Sequence, residues 1–180
     1  MLVQIMSERS VLNRAQDWQR GSRAALSLSD ALDELEACES ADARQDDERA
    51  LVRHGLDPAA VAAVRRGTVQ LRRLLPDSAT ATVADSDTRL RRALLAGYAD
   101  RVGRRTKTKG SDITLCSGPT AALSPASAVR EAEFVVVLDV EQQTTASQQV
   151  LTARAVSAIE PGWLLDMPQL DLQTREELLW

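Results

Sequence analysis

Five basic residues, Arg101, Arg104, Arg105, Lys107 and Lys109, fall within nine positions of this chain. Extended back to Arg89, the same stretch holds eight positive charges against Asp100 alone, a local net of +7 in a protein whose overall charge is -4. Arginine and lysine at this density neutralise phosphates and release the counterions condensed on a nucleic acid. Alternation around Val102, Gly103, Thr106 and Thr108 places part of the set on one strand face. The competing use is mechanical, because charge on a strand edge blocks sheet-to-sheet pairing. Aromatic residues make up only 3% of the chain, and most of Trp18, Tyr98, Phe134, Trp163 and Trp180 suit core or terminal-helix positions. Few are left as stacking platforms for bases, so any binding is expected to lean on backbone charge, with weak sequence preference.

Other chemistries find little support. No GxxxxGK[ST] phosphate loop is present, nor an acidic tetrad of the kind that holds magnesium in nucleotide hydrolases. The single histidine, His54, stands before a turn and a helix without a neighbouring cysteine, which reads as a solvated turn residue. Cys38 and Cys116 are too few and too far apart for a structural zinc site and read as free thiols of a cytoplasmic protein. The serines of SGPTAALSPAS have no paired base and do not form a nucleophile elbow. The chain is therefore expected to bind rather than to catalyse, with no metal or cofactor of its own. No apolar run approaches the roughly 18 residues of a membrane span.

The elements that must position the basic arm divide by periodicity. In SLSDALDELEAC, Leu28, Leu32 and Leu35 recur at helical spacing beside Ala31 and Cys38, with Ser27 or Ser29 as cap. Nine acidic residues between Asp30 and Glu48 face only Arg44, so one side of this region is expected to be strongly negative and solvated. HGLDPAAVAAVRRGTVQLRRLL begins a second helix with an Asp57 cap and Pro58 at its first position. Its stripe is Val61, Val64, Leu71 and Leu74. Pro76–Asp87 is small, polar and aperiodic, a linker. TRLRRALLAGY supplies a third helix with Leu90, Leu94, Leu95 and Tyr98 on one face. Beyond Arg101 the period shortens. DITLCSG, TAALS, FVVVLDV and QVLTARAVSAI read as short strands of a small antiparallel barrel.

The order of these pieces resembles the C-terminal region of bacterial DEAH-box ATP-dependent RNA helicases of the HrpB type. Leu94, Leu95, Ala96, Gly97, Tyr98, Asp100 and Arg101 match that family's turn into an oligonucleotide-binding (OB) barrel. Leu123, Pro125 and Ser127 match a following stretch, and Ile159, Pro161, Trp163 and Leu164 match its closing segment. HGLDPAAVAAVRRGTVQLRRLL is similar to the ratchet-like helical segment before the barrel. Ala99 departs from the pattern, where the family has proline, and SGPTAALSPAS lacks a basic residue often found there. Both ATPase lobes, with the nucleotide loop and the DEAH sequence, are missing.

The resemblance implies an accessory region without ATPase activity of its own, touching single-stranded RNA or another nucleic acid through Arg101, Arg104, Arg105, Lys107 and Lys109. Its other expected partners are the absent lobes, which would bind ATP and magnesium. The alternative is a stand-alone OB-like protein-interaction module without nucleic-acid binding. The expected architecture is α+β. Residues 1–13 are unassigned, 14–75 form the helical unit, 76–87 the linker, 88–165 a helix plus five-stranded barrel, and 166–180 a closing element cut short at REELLW.

Overall fold

The computed structural model describes residues 1–7, 10–12, 26–74, 85–106, 110–144 and 149–167. Its helices are α1 (Leu2–Ser7), α2 (Asp30–Ala43), α3 (Glu48–Arg53), α4 (Pro58–Leu74), α5 (Ser86–Gly97) and α6 (Pro161–Leu165). The strands are β1 (Val102–Arg105), β2 (Asp112–Leu115), β3 (Thr120–Leu123), β4 (Phe134–Thr144) and β5 (Gln149–Ala158). The fold is α+β, and the expected five strands close into an OB-like barrel in the order β1-β2-β3-β5-β4. One expectation is corrected: the barrel is mixed, because β3 and β5 run parallel, with Ala121 opposite Leu151 and Leu123 opposite Ala153. The other pairings are antiparallel. A register shift around Leu138 and Asp139 interrupts the long β4–β5 ladder, an irregularity of the kind that bends a strand and helps a small sheet to close.

Three apolar clusters build the molecule. Ile113, Leu123, Val135, Val137, Ala153 and Val156 fill the barrel. Ile5, Val11, Cys38, Leu56, Val61 and Val64 hold the helices together. The third cluster joins the two, with Ala31, Leu94, Leu95, Val136, Leu138 and Trp163 packed across the outside of β4. FVVVLDV therefore reads as an unbroken apolar run because β4 is covered on both faces. The segment 1–13 contributes Ile5 and Val11 to the helical core. Helix α5 starts at Ser86, inside the stretch expected to be linker, and residues 76–84 of that stretch lie outside the described residues. Residues 168–180 of the expected closing element also lie outside them.

Local signals explain the starts of two helices. Asp57 caps α4 as expected, its Oδ1 accepting from the Ala59 and Ala60 amides at 2.8 and 3.3 Å. Asp47 caps α3 through the Ala50 amide at 2.7 Å. Ser29 stands at the N-cap of α2, but its hydroxyl makes no capping bond. The chain there is held from outside instead: the Ser27 amide donates to the Ala128 carbonyl at 3.2 Å, and the Ala158 amide donates to the Leu28 carbonyl at 2.7 Å.

The stripe on α2 departs from its reading. Ala31, Glu34, Cys38 and Ala41 are the buried positions. Leu28 is 59% exposed, and Leu32 and Leu35 are only partly covered. Small residues face the other helices because they let backbones approach closely. Glu34 is tolerated among them because Ser10 Oγ donates to its carboxylate at 2.6 Å and the Val11 amide approaches at 3.4 Å.

Candidate nucleic-acid interface

Alternation along β1 sends successive side chains to opposite sides, and it separates the two central arginines of the arm. Arg104 faces out and is 68% exposed along its side chain. Its Nη2 lies 2.8 Å from Glu133 Oε1, with Nε donating to the same oxygen at 2.9 Å, and its guanidinium carbon sits 5.6 Å from the Phe134 ring centre. Across the outer surface Arg104 stands opposite Thr114 of β2, which stands opposite Thr120 of β3. The hydroxyls of Thr106, Thr114 and Thr120 form an exposed row at 3.4 Å spacing. An arginine beside a row of hydroxyls is a surface suited to phosphate and sugar oxygens. It occupies the β1–β2–β3 face of the barrel. The threonines were readable in DITL and TAAL as the outward half of the alternation.

Arg105 faces the other way and is only 5% exposed. Its Nε, Nη1 and Nη2 donate to the carbonyls of Ala132, Gly110 and Val129 at 2.9, 2.7 and 3.1 Å. Burial, and then the nearby Arg130 charge, lower its pKa from the usual arginine range. A planar guanidinium can satisfy three diverging carbonyls at once. Here it pins the loop before β4 to the end of β1. Arg105 is therefore committed to the fold, with each of its three nitrogens donating to a carbonyl.

Arg101 sits in the 3-10 turn Ala99–Arg101, partly exposed, over the Tyr98 ring at 5.1 Å. Its Nη1 donates to the Leu138 carbonyl at 3.4 Å, and Asp100 lies 3.8 Å away. The loop joining β1 to β2 covers 106–111. Lys107 and Lys109 belong to it by sequence but lie outside the described residues. Behind the arm, Arg91 and Arg92 stack on Trp163 at 4.8 and 5.6 Å and face Glu160 and Asp166 at 3.7 and 2.7 Å. The +7 of the linear stretch is thus met in space by Glu133, Glu160 and Asp166, carboxylates from far along the chain. Arg89 is exposed and has no ion pair among the described residues.

A cleft of about 560 Å³ lies between α2 and the barrel. Its polar groups are largely committed to one another. Asp30 accepts from the Ala128 amide at 2.8 Å, Ser127 Oγ at 2.8 Å and the Val156 amide at 2.9 Å. Arg154 faces Glu141 at 3.3 Å and Asp139 at 3.8 Å. His54 is half-exposed at the rim, 3.9 Å from Asp46. Burial raises the Asp30 pKa; the three hydrogen bonds oppose that shift and Asp33 adds to it. Among the described residues no group of histidine, cysteine and carboxylate side chains is arranged to hold a metal, and no helix is long and apolar enough to cross a membrane.

No family model matches the chain, and no curated protein matches it.

Proposed function

We propose that this chain is a nucleic-acid-binding accessory region of a DEAH-box RNA helicase, contacting single-stranded RNA and the ATPase lobes while hydrolysing no ATP itself. The observation that carries the reading is the outer β1–β2–β3 face. There Arg104 and the hydroxyls of Thr106, Thr114 and Thr120 form one surface on an OB-like barrel. Lys107 and Lys109 follow Thr106 closely in the sequence. The order of sequence pieces that resembles the helicase region agrees with it. Compartment follows the same proposal: a cytoplasmic protein acting on RNA.

Arg104 meets Glu133 at the surface, so binding would exchange one ion pair for another and remain modest. Affinity would fall with added salt, because each neutralised phosphate releases counterions. The test is fluorescence anisotropy of a labelled single-stranded RNA titrated with the chain at several salt concentrations. A variant with Arg104, Lys107 and Lys109 changed to alanine is compared, with Arg105 kept because the fold uses it. Salt-sensitive binding that collapses in the variant is the expected result. Absence of binding at low salt would sink this reading in favour of a stand-alone protein-interaction module. That second reading has its own support in the arginines of the arm that carboxylates already hold.

A further inference from the structure

Leu28, just before α2, and the half-covered Leu32 and Leu35 of that helix open onto a groove of about 430 Å³ between the start of α2 and the start of α5. Its walls include Leu28, Leu32, Leu35, Glu36, Glu39 and Arg91. Leu32 and Leu35 are three apart on α2 and share one side of it, and Leu28 lies just before the helix; all three line the groove, Leu35 while also packing against the helical cluster. Glu36 and Glu39 are exposed beside it, and Asp87 is exposed at the start of α5. The groove is therefore apolar along its middle and negative along its rim.

Two buried polar groups on the same walls lack partners among the described residues. Ser29 is 1% exposed and its hydroxyl makes no hydrogen bond. Arg91 is 5% exposed; its Nη2 faces Glu160, but its Nε–H is unsatisfied. Unmet donors at that depth are costly to leave, and buried polar groups in proteins are nearly always satisfied.

From these features we infer that the groove is a docking site for a basic amphipathic helix of a partner protein. Apolar side chains of that helix lie against Leu28, Leu32 and Leu35, while its lysines or arginines meet Glu36, Glu39 and Asp87. Helix-in-groove recognition works through anchors spaced i, i+3, i+4 and i+7, and the negative rim selects the sign of the flanking charge. The inference holds whether or not the barrel binds RNA, because it uses no residue of the arm.

The test uses the full chain and a fluorescein-labelled synthetic peptide of leucine and lysine with the leucines on one helical face. Two control peptides have the same composition scrambled off that face, or glutamate in place of lysine. Saturable binding of the first peptide is expected, with a loss of about tenfold or more in the Glu36→Lys, Glu39→Lys double variant. A smaller loss is expected in Leu28→Ser. All three positions are open enough to be changed without unfolding the chain, which circular dichroism confirms in parallel. Equal binding of the scrambled peptide, no binding at low salt, or indifference to the charge reversal would each overturn the inference. So would a dimer of the free chain that the charge reversal returns to monomer, since the occupant would then be a second copy.

Discussion

Asp30 and Val156 are 126 residues apart in the chain, and the carboxylate of one accepts the amide of the other at 2.9 Å. The same side chain takes the Ala128 amide and the Ser127 hydroxyl, so one residue at the start of α2 fastens the helices to both β5 and the loop before β4. Replacing Asp30 by alanine leaves two backbone donors without their acceptor. Each orphaned buried donor costs about 1–3 kcal/mol, so Asp30→Ala should lose roughly 3 kcal/mol or more in urea denaturation. Asp30→Asn keeps one acceptor oxygen and should lose less. Equal stability of all three proteins would mean that the clamp contributes nothing.

The pH dependence of this carboxylate has a definite sign. Burial, with Asp33 beside it, raises the pKa against the pull of the three hydrogen bonds. The native state then takes up its proton at a higher pH than the unfolded chain, whose aspartate titrates near about 3.9. Stability at this site therefore grows as pH falls through the folded pKa and levels off below about 3.9. Denaturation at a series of acidic pH values should show wild type gaining on Asp30→Asn over that window. A gain running the other way would show the hydrogen bonds outweighing burial.

Arg104 and Arg105 are neighbours in sequence and opposites in consequence. Arg105→Lys removes a fork that serves three carbonyls, and a lysine ammonium cannot span them. A loss of about 2–4 kcal/mol is expected. Arg104→Ala removes an exposed pair with Glu133 and should change stability by less than about 1 kcal/mol. Urea midpoints of the two variants check the contrast, and comparable losses would contradict it.

The two thiols should also separate. Burial, with Glu34 and Asp42 nearby, pushes the Cys38 pKa up to about 11, while Cys116 is exposed. At neutral pH the Cys38 thiolate is then about one part in ten thousand. A disulfide reagent should modify one thiol per chain quickly and the second only as urea unfolds the protein. Two fast thiols would mean that the helical cluster around Cys38 opens readily.

What could be read in the sequence was what neighbours along the chain decide. The Asp57–Pro58 helix start is settled within four residues, and the run Val135–Leu138 announces a strand covered on both faces. The parallel β3–β5 pairing was invisible because nothing local distinguishes a strand that pairs with its successor from one that pairs across the barrel. The basic arm was visible as a count of charges, but Glu133, Glu160 and Asp166, which meet its arginines, lie elsewhere in the chain. Periodicity found the helical spacing of Leu28, Leu32 and Leu35 beside Ala31 and Cys38. Close packing favours Ala31, Cys38 and Ala41 at the buried positions of α2, while the leucines line the groove, Leu35 also touching the helical cluster. Arg105 looked like Arg104 until the parity of β1 turned it inward.

The Asp30 clamp also bears on how the chain is made. The helical cluster draws on residues no later than Val64, so it can assemble while the barrel is still unsynthesised. At about 5–20 residues per second, the 126 residues separating Asp30 from Val156 take about 6–25 s to emerge. Early in that interval Ala31 lacks the α5 and β4 side chains that cover it, and the Asp30 carboxylate lacks Val156 until the interval ends. Attachment of the helices to β5 through Asp30 therefore cannot precede the synthesis of Val156, and its earliest moment belongs to translation.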